Sequence, residues 1–599
     1  MFANIANLPQ NLVFFSEENV RNHINYQKAL LIASIQGKIF TLGAKFQPLL
    51  PRIIVFFVLP VVIFCGMTGC GSRQSTSGYK ILRYNESAGI NSLDPAFSGR
   101  VENIWAIQQI FNGLVQADSA MNIKPCLAHK WDIAANQLEY TFYLRRDVFF
   151  HSNACFGDKK ARKMVASDLV YSLNRIADPS TASSGAWTVS PIARNEKGEL
   201  KIESVGDSIL KIFLKEPFSP FLKILATPYC SVIPKEAIQY YGNDFRKNPV
   251  GTGPFFLQTW KEGEKLILRK NPVYFEQING KPLPYLDAVV FSFLKDKQTA
   301  FLEFIKGNFD FISGVDGSYK DELLNASGTL RAKYHGKVML KKTPYLKTDY
   351  LGFYLGNKQS GTLPEAYRNK LVRQAISLGI DRKKMIRYLR NNIGMAAGGS
   401  ILPPVLQAHQ NHKKEVLGYD PAKAKRLLEQ AGFKDGKGLP ELPLVTSPVY
   451  QDLCEFIQKQ LEEIGIPVKT EIMMPAINTE MIAAGKAGFF RKSWIADYPD
   501  AENYFLLFLE KNFAPDGPNY AHFKNENFEK CYRKMLQENN VSRREILIRQ
   551  ADSLLQDEMP VIPLYYDEVV YFIRPQIQFL NPNAQNFPQF KYVDKPADE

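Results

Sequence analysis

The chain lacks the residue patterns that most often mark a metal site or a catalytic centre. Its seven Cys and seven His form no Cys-x-x-Cys and no His-x-x-x-His pair. It contains no Gly-x-x-x-x-Gly-Lys-Ser/Thr loop for phosphates and no spacing typical of a nucleophile with its base. We therefore expect no metal, no cofactor and no enzymatic activity.

A long block of basic residues is also missing, although the net charge is +14. Lys and Arg are scattered among carboxylates, which argues against a nucleic-acid partner and leaves attraction to an anionic membrane surface open. There is no internal repeat. With 599 residues, 45% of them hydrophobic, the chain is expected to fold into two or three domains.

The apolar run at 53–65 is too short for a comfortable membrane span. Basic Lys45 and Arg52 precede it and small residues follow it, as in a secretory signal. Met67-Thr-Gly-Cys70 resembles the lipobox of bacterial lipoproteins, which implies cleavage before Cys70 and lipid on its thiol. An ordinary cleaved signal and an uncleaved anchor are the alternatives. We interpret 1–44 as a non-structural extension, 45–69 as the signal and 70–78 as a tether.

The segment 491–500 carries the most informative chemistry. It reads as a strand that ends in a turn, because Pro499 biases the preceding residue away from helix. Asp497 lies between Trp494 and Tyr498, a combination that suits a ligand ammonium in a dry cleft. The alternative is a core Trp beside an Asp that caps the next helix.

Several motifs occur in a fixed order along the chain. They are Leu-Asp-Pro-Ala at 93–96, Leu-Ala-x-x-Trp at 127–131, Tyr-Thr-Phe-x-Leu-Arg at 140–145, Ala-Ser-Asp-Leu-Val-Tyr-Ser-Leu at 166–173, Val-Gly-Thr-Gly-Pro-Phe at 250–255, Arg-Gln-Ala-Ile at 373–376, Asp-Pro-Ala-Lys-Ala at 420–424, Trp-Ile-Ala-Asp-Tyr-Pro-Asp at 494–500 and Met-Pro-Val-Ile-Pro-Leu-Tyr-Tyr at 559–566. Over 79–575 this order resembles family 5 of the extracellular solute-binding proteins, the peptide-binding components of ABC importers.

The resemblance implies an α/β fold of the type II periplasmic-binding-protein kind. Two lobes are joined by strands that cross between them, and they shut over a ligand by hinge motion. We expect the first lobe at 79–115, 203–293 and 562–599, an extra domain at 116–202, and the second lobe at 294–561.

The resemblance also implies the ligand-binding residues. Asp497 matches the aspartate that pairs with a peptide α-ammonium, and Trp494 matches an aromatic residue of the pocket. Arg491 matches an arginine that meets peptide carboxylates, with an exposed strand charge as the alternative. Tyr498, Trp187 from the extra domain, and Tyr566 before the last crossing are further candidates. A core position is the alternative for Trp187.

The function implied is that of a monomeric, lipid-anchored receptor at the periplasm or cell surface. It would deliver oligopeptides to an ABC permease and ATPase. The motif Asp-Tyr-Pro-Asp departs from the oligopeptide pattern, so a dipeptide, a muropeptide, a metal chelate or a sugar remains an alternative ligand. A surface lipoprotein that no longer transports is the other alternative.

Overall fold

The computed structural model of the chain describes residues 78–358, 362–406 and 418–598, which lie within one compact unit. The expected extension, signal and Cys70, with the tether up to residue 77, fall outside these residues. Within the described ranges, every helix is too short or too polar to span a bilayer.

The strands are, in chain order, β1 (Ile81–Asn85), β2 (Val115–Ala117), β3 (Ile123–Pro125), β4 (Ala128–Ile133), β5 (Glu139–Leu144), β6 (Ile202–Val205), β7 (Ile209–Phe213), β8 (Phe255–Lys261), β9 (Lys265–Lys270), β10 (Gln277–Ile278), β11 (Lys281–Pro282), β12 (Ala288–Ser292), β13 (Phe311–Ser313), β14 (Met339–Phe353), β15 (Met395–Ala396), β16 (Leu442–Thr446), β17 (Val468–Ile472), β18 (Phe489–Ile495) and β19 (Val561–Ile573).

The α-helices are α1 (Val101–Ile110), α2 (Ala166–Ala177), α3 (Phe221–Leu225), α4 (Lys235–Tyr241), α5 (Lys297–Lys306), α6 (Lys320–Leu323), α7 (Lys370–Leu378), α8 (Arg382–Leu389), α9 (Pro421–Gln430), α10 (Gln451–Glu462), α11 (Pro475–Ala483), α12 (Glu502–Phe505), α13 (Glu526–Gln537) and α14 (Val541–Glu558).

A long mixed sheet runs through most of the molecule in the order β17-β16-β18-β14-β19-β13-β1-β12-β9-β8. Its centre is the antiparallel pair β14 and β19, strands of 15 and 13 residues. One half of β14 also pairs with β18, whereas the far end of β19 pairs with β13. These two strands therefore connect the two halves of the molecule, which has the α/β architecture that the sequence predicts.

Two strands of a separate antiparallel sheet, β4-β5-β7-β6, lie within 116–202, the segment predicted to form the extra domain. The inward residues of β5 are Tyr140, Phe142 and Leu144, in the strict alternation of a strand with one buried face. Because β6 and β7 pair with each other and with β5, this sheet extends beyond residue 202. The strand β13 likewise joins β1, although 294 was the expected start of the second lobe. The exact lobe boundaries stay predictions.

Two apolar cores matter for the site. The first core runs from Leu82 to Val593 and includes Phe221 and Leu225 of α3. The second, which we call the turn core, includes Ala496, Ala501 and Tyr504 around the turn after β18, with Ile548 of α14. The segment 491–500 therefore lies against the turn core, while α3 belongs to the first core.

Candidate functional site

The strand β18 has a free edge over its C-terminal part, residues 491–495. It pairs with β14 along its whole length, from Phe489 to Ile495, but with β16 only at Phe489 and Phe490. Within the part of the chain that the structure describes, the backbone of 491–495 has no strand neighbour on that second side. A free strand edge offers N–H and C=O groups to an extended backbone, which is how a peptide adds to a sheet.

Asn503 fixes the end of this strand. The fully buried Asn503 Oδ1 accepts hydrogen bonds from the backbone N–H of Asp497 at 3.1 Å and from Trp494 Nε1 at 3.0 Å. Its Nδ2 donates to Asp497 Oδ2 at 3.4 Å. One amide thus orients both Trp494 and Asp497. From the sequence alone Asn503 is a weaker ligand candidate, and an N-cap or helix-surface role is the favoured alternative; its bonds to Trp494 and Asp497 are long-range contacts that no local pattern indicates.

Asp497 is an exposed residue, although many protein atoms surround its carboxyl. Burial of the carboxyl raises its pKa to about 6, and the hydrogen bond from Asn503 offsets only part of this effect. No Lys or Arg among the described residues forms an ion pair with it. A carboxylate with a raised pKa and without a protein cation is suited to receive a ligand ammonium.

The aromatic residues beside Asp497 stack on one another. Tyr498 is 2% exposed, and its ring lies 5.9 Å from that of Trp187 at an interplanar angle of 27°. Trp187 in turn meets Tyr229 edge-on at 6.1 Å. Tyr498 Oη donates a hydrogen bond to Glu502. Tyr498 is therefore largely a packing residue, while the half-buried Trp187 retains some open surface; ligand contacts by either stay predictions.

Asp500, the second acid of the motif, is fully engaged by the protein. It is 2% exposed, and its carboxylate accepts from Lys223 Nζ at 2.8 Å and from Arg544 Nη2 at 2.6 Å. Burial alone would raise its pKa, but the two cations hold that pKa well below its usual range. Lys223 belongs to α3 of the first core and Arg544 to α14, so Asp500 joins the two cores.

Arg491 is also engaged within the protein. Its guanidinium is buried, forms an ion pair with the buried carboxylate of Asp349, and lies 3.1 Å from the centre of the Tyr450 ring. Burial lowers its pKa to about 10. Lys347 Nζ lies 3.3 Å from the same carboxylate. A peptide carboxylate would share Arg491 with Asp349, and the ligand role of Arg491 stays a prediction.

Tyr566 lies in β19, opposite Thr348 of β14. It is 3% exposed, and its hydroxyl donates to the backbone oxygen of Ser400 at 2.8 Å. The structure therefore brings Asp497, Trp494, Tyr498 and Trp187 together. Tyr566 is instead buried in β19 beside Ser400.

In the described ranges no three His, Cys, Asp or Glu side chains come close enough to hold a metal.

Comparison with known proteins gives the same family. The family model for bacterial extracellular solute-binding proteins, family 5, matches residues 122–515. The dipeptide-binding protein DppE of Bacillus subtilis is 24% identical over 549 residues, which cover 88% of this chain and 94% of DppE. The glutathione-binding protein GsiB of Salmonella choleraesuis is 27% identical over 80% of this chain and 87% of its own length.

A solved structure agrees with these matches. The ABC transporter-associated periplasmic binding protein DppA from Helicobacter pylori, in complex with the peptide STSA, superposes with a TM-score of 0.71 at 25% identity. The match covers 88% of this chain and 100% of that one. The chain therefore belongs to family 5 of the bacterial extracellular solute-binding proteins, a family of binding receptors.

Proposed function

We propose that this protein captures oligopeptides in the cleft beside β18 and delivers them to an ABC permease and its ATPase. Asp497 receives the peptide α-ammonium, Trp494 lines the pocket next to it, and the free edge of β18 pairs with the peptide backbone. The observation that carries the proposal is the carboxylate of Asp497, which Asn503 orients beside Trp494 and which has no cationic partner in the described residues. Relatives named for dipeptides and glutathione, and the DppA complex with STSA, support a peptide ligand.

Calorimetry with pools of short peptides tests this proposal. The wild-type protein should bind pools with a free amino terminus at micromolar concentration and bind N-acetylated pools far more weakly. A buried charge-assisted hydrogen bond contributes roughly 1.5–3 kcal/mol, enough for about a tenfold difference or more. Equal binding of both pools, or binding of a sugar or a metal chelate instead, contradicts the proposal.

We further propose that lipid on the Cys70 thiol holds the receptor at the membrane. The support is the sequence around Cys70, with its basic end, short apolar run and small residues. Cells that produce the Cys70→Ser variant should release the protein from the membrane fraction or keep it as an unprocessed precursor. Unchanged processing and labelled-palmitate incorporation in that variant would rule out the anchor.

The affinity for free-amine peptides should depend on pH through Asp497. Its pKa of about 6 means that the carboxyl is mostly ionised at pH 7 and mostly protonated at pH 5. Only the ionised form attracts an ammonium, so affinity should fall about tenfold between pH 7 and pH 5. Titration calorimetry at several pH values measures this, with an N-acetylated peptide as the control whose affinity should stay flat.

The raised pKa of Asp497 also makes the stability of the fold depend on pH, in the direction opposite to the affinity. A carboxyl whose pKa is higher in the folded than in the unfolded chain stabilises the fold most when it is protonated. Its contribution is therefore lost as pH rises from about 4 to about 6. Bound peptide should reverse part of that loss, because an ammonium lowers the pKa of Asp497. A pH-independent affinity would contradict the assignment of Asp497 to the ligand amine.

A further inference from the structure

A groove lies beside the start of β1, close to the first residues that the structure describes. It is lined by the β2–β3 turn, the β10–β11 hairpin and the segment after β19 as well, with Lys80, Asp118, Ile278, Lys281, Phe579 and Asp594 among its residues. Among the described residues, none of the candidates for ligand contact lines this groove. Two of its apolar side chains are open to solvent, since Phe579 is 59% exposed and Ile278 is 40% exposed.

The backbone presents Phe579 to solvent in a strained conformation. Its φ is +60°, in the left-handed region that a bulky side chain rarely adopts. Its neighbours Ile577 and Leu580 are each 1% exposed. Gln578 exchanges two backbone hydrogen bonds with Asp594, at 2.8 and 3.1 Å. The chain on both sides is therefore fixed while the ring contributes little to the core, and strain of this kind is commonly found where a protein makes a functional contact.

The hairpin β10–β11 supplies a second exposed part of the groove. Its central residues Asn279 and Gly280 have φ of +50° and +75°, as the common two-residue hairpin turn requires. The turn places Ile278 opposite Lys281, and both side chains are exposed. The hairpin tip thus offers an apolar and a cationic side chain together.

The charges of the groove leave one lysine over. Asp594 pairs with Lys80 at 2.7 Å, and Asp118 pairs with Lys124 at 3.6 Å. In the part of the chain that the structure describes, Lys281 forms neither an ion pair nor a side-chain hydrogen bond. Exposed apolar side chains next to an excess positive charge suit a membrane surface, where anionic headgroups lie above acyl chains.

The position of the groove along the chain supports a membrane as its partner. Gly78, two residues before Lys80, donates its backbone N–H to the oxygen of Asp598 at 2.9 Å. Only eight residues lead from Cys70 to Gly78, and eight residues span at most about 28 Å. Lipid on Cys70 would therefore keep this side of the molecule near the bilayer. A short tether also raises the effective concentration of a contact that is weak by itself.

We propose that this groove docks on an anionic phospholipid surface, with the ring of Phe579 at the acyl boundary and the ammonium of Lys281 on a headgroup phosphate. This inference rests on the lipid anchor proposed above and is independent of the peptide ligand. The contact determines which side of the receptor faces the membrane and so limits the orientations in which the cleft meets a permease.

The test holds the protein on vesicles without its natural lipid. The chain from residue 70 contains the whole compact unit; it carries Cys70→Ser and an N-terminal His tag that binds nickel-chelating lipid. Hydrogen exchange of the amides at 277–282 and 578–581 is measured in solution, on phosphatidylcholine vesicles, and on vesicles that also contain phosphatidylglycerol. Exchange should slow about fivefold or more, and only with phosphatidylglycerol, as expected for a lysine beside an anionic surface.

Two groove variants should abolish this protection and bind peptides as wild type does. Lys281→Glu reverses the charge, and Phe579→Gly removes the ring while favouring the left-handed backbone, so this variant should fold at least as well. The matched controls are Lys469→Glu on β17 and Tyr388→Ser on α8, both exposed positions outside the groove, which should keep the protection. Thermal melting of each variant checks its folding.

The proposal is overturned if exchange slows on neither kind of vesicle or equally on both. It is also overturned if the protection survives in both groove variants or disappears in both controls. Protection that appears in solution as the protein concentration rises would assign the groove to a second copy of the chain instead. Because the tag replaces the lipid, a failure of lipidation at Cys70 would show only in the palmitate experiment, and a failure of peptide capture only in calorimetry.

Discussion

Replacing Asp497 with Asn should lower the affinity for free-amine peptides by about 10- to 100-fold and leave N-acetylated peptides almost unaffected. The substitution keeps the shape of the side chain but removes the charge that pairs with an ammonium. A hydrogen bond to a charged group contributes roughly 1.5–3 kcal/mol, which corresponds to that range. Titration calorimetry of one peptide in both forms, on wild type and Asp497→Asn, measures the effect directly.

The matched control for this prediction is Asp516→Asn, an exposed aspartate without a described ion pair, which should alter neither affinity. The pH dependence of binding should also vanish in Asp497→Asn, because no carboxyl remains to titrate at that position. A variant that loses free-amine and acetylated peptides equally would show that Asp497 only supports the turn through Asn503. In that case the ammonium site lies elsewhere.

Replacing Asp500 with Asn should cause the largest loss of stability among the acids of this motif. Lys223 and Arg544 would remain partly buried with no carboxylate between them. Removal of one partner from a buried ionic group typically costs about 3–5 kcal/mol, because the remaining charges are left uncompensated. Chemical denaturation at pH 7 measures the free energy of unfolding. Because Lys223 and Arg544 belong to different cores, the stacked rings of Trp187 and Tyr498 should also separate more readily in Asp500→Asn.

The difference in unfolding free energy between wild type and Asp500→Asn should depend on pH. The pKa of Asp500 is depressed in the folded chain, so its stabilising contribution is present above about pH 4 and is lost as pH falls further. The gap between wild type and Asp500→Asn should therefore be full at pH 7 and shrink in acid. Asp497→Asn serves as the comparison, since it removes no ion pair of the described residues. Similar stability of the two variants at pH 7 would contradict the role of Asp500 in joining the two cores.

The order of short motifs along the chain was sufficient to predict the family and the α/β fold. Motifs such as Asp-Pro-Ala-Lys-Ala mark local structure, because Asp420 caps α9 and Pro421 begins it. Local patterns of this kind can be recognised without any knowledge of long-range contacts. They also predicted that 491–495 is a strand ending in a turn, which β18 confirms.

The partners of the site residues could not be predicted in the same way. Arg491 meets Asp349 because β14 and β18 pair in one register, and no local pattern near 491 reveals that register. Asp500 meets Lys223 only because two separate cores come together at the turn. The sequence therefore indicated which side chains carry charge, while the tertiary contacts decide that Arg491 and Asp500 have charged partners and that Asp497 has none in the described chain.

The central claim is that the Asp497 carboxylate holds the amine of a captured peptide. The most direct measurement is mass spectrometry of the compounds released by denaturing the protein as purified from its native cells, with Asp497→Asn purified in parallel. Our account predicts peptides with a free amino terminus, abundant in wild type and depleted in Asp497→Asn. Recovery of a sugar, a metal chelate or another compound without an amine, in equal amounts from both proteins, would contradict it.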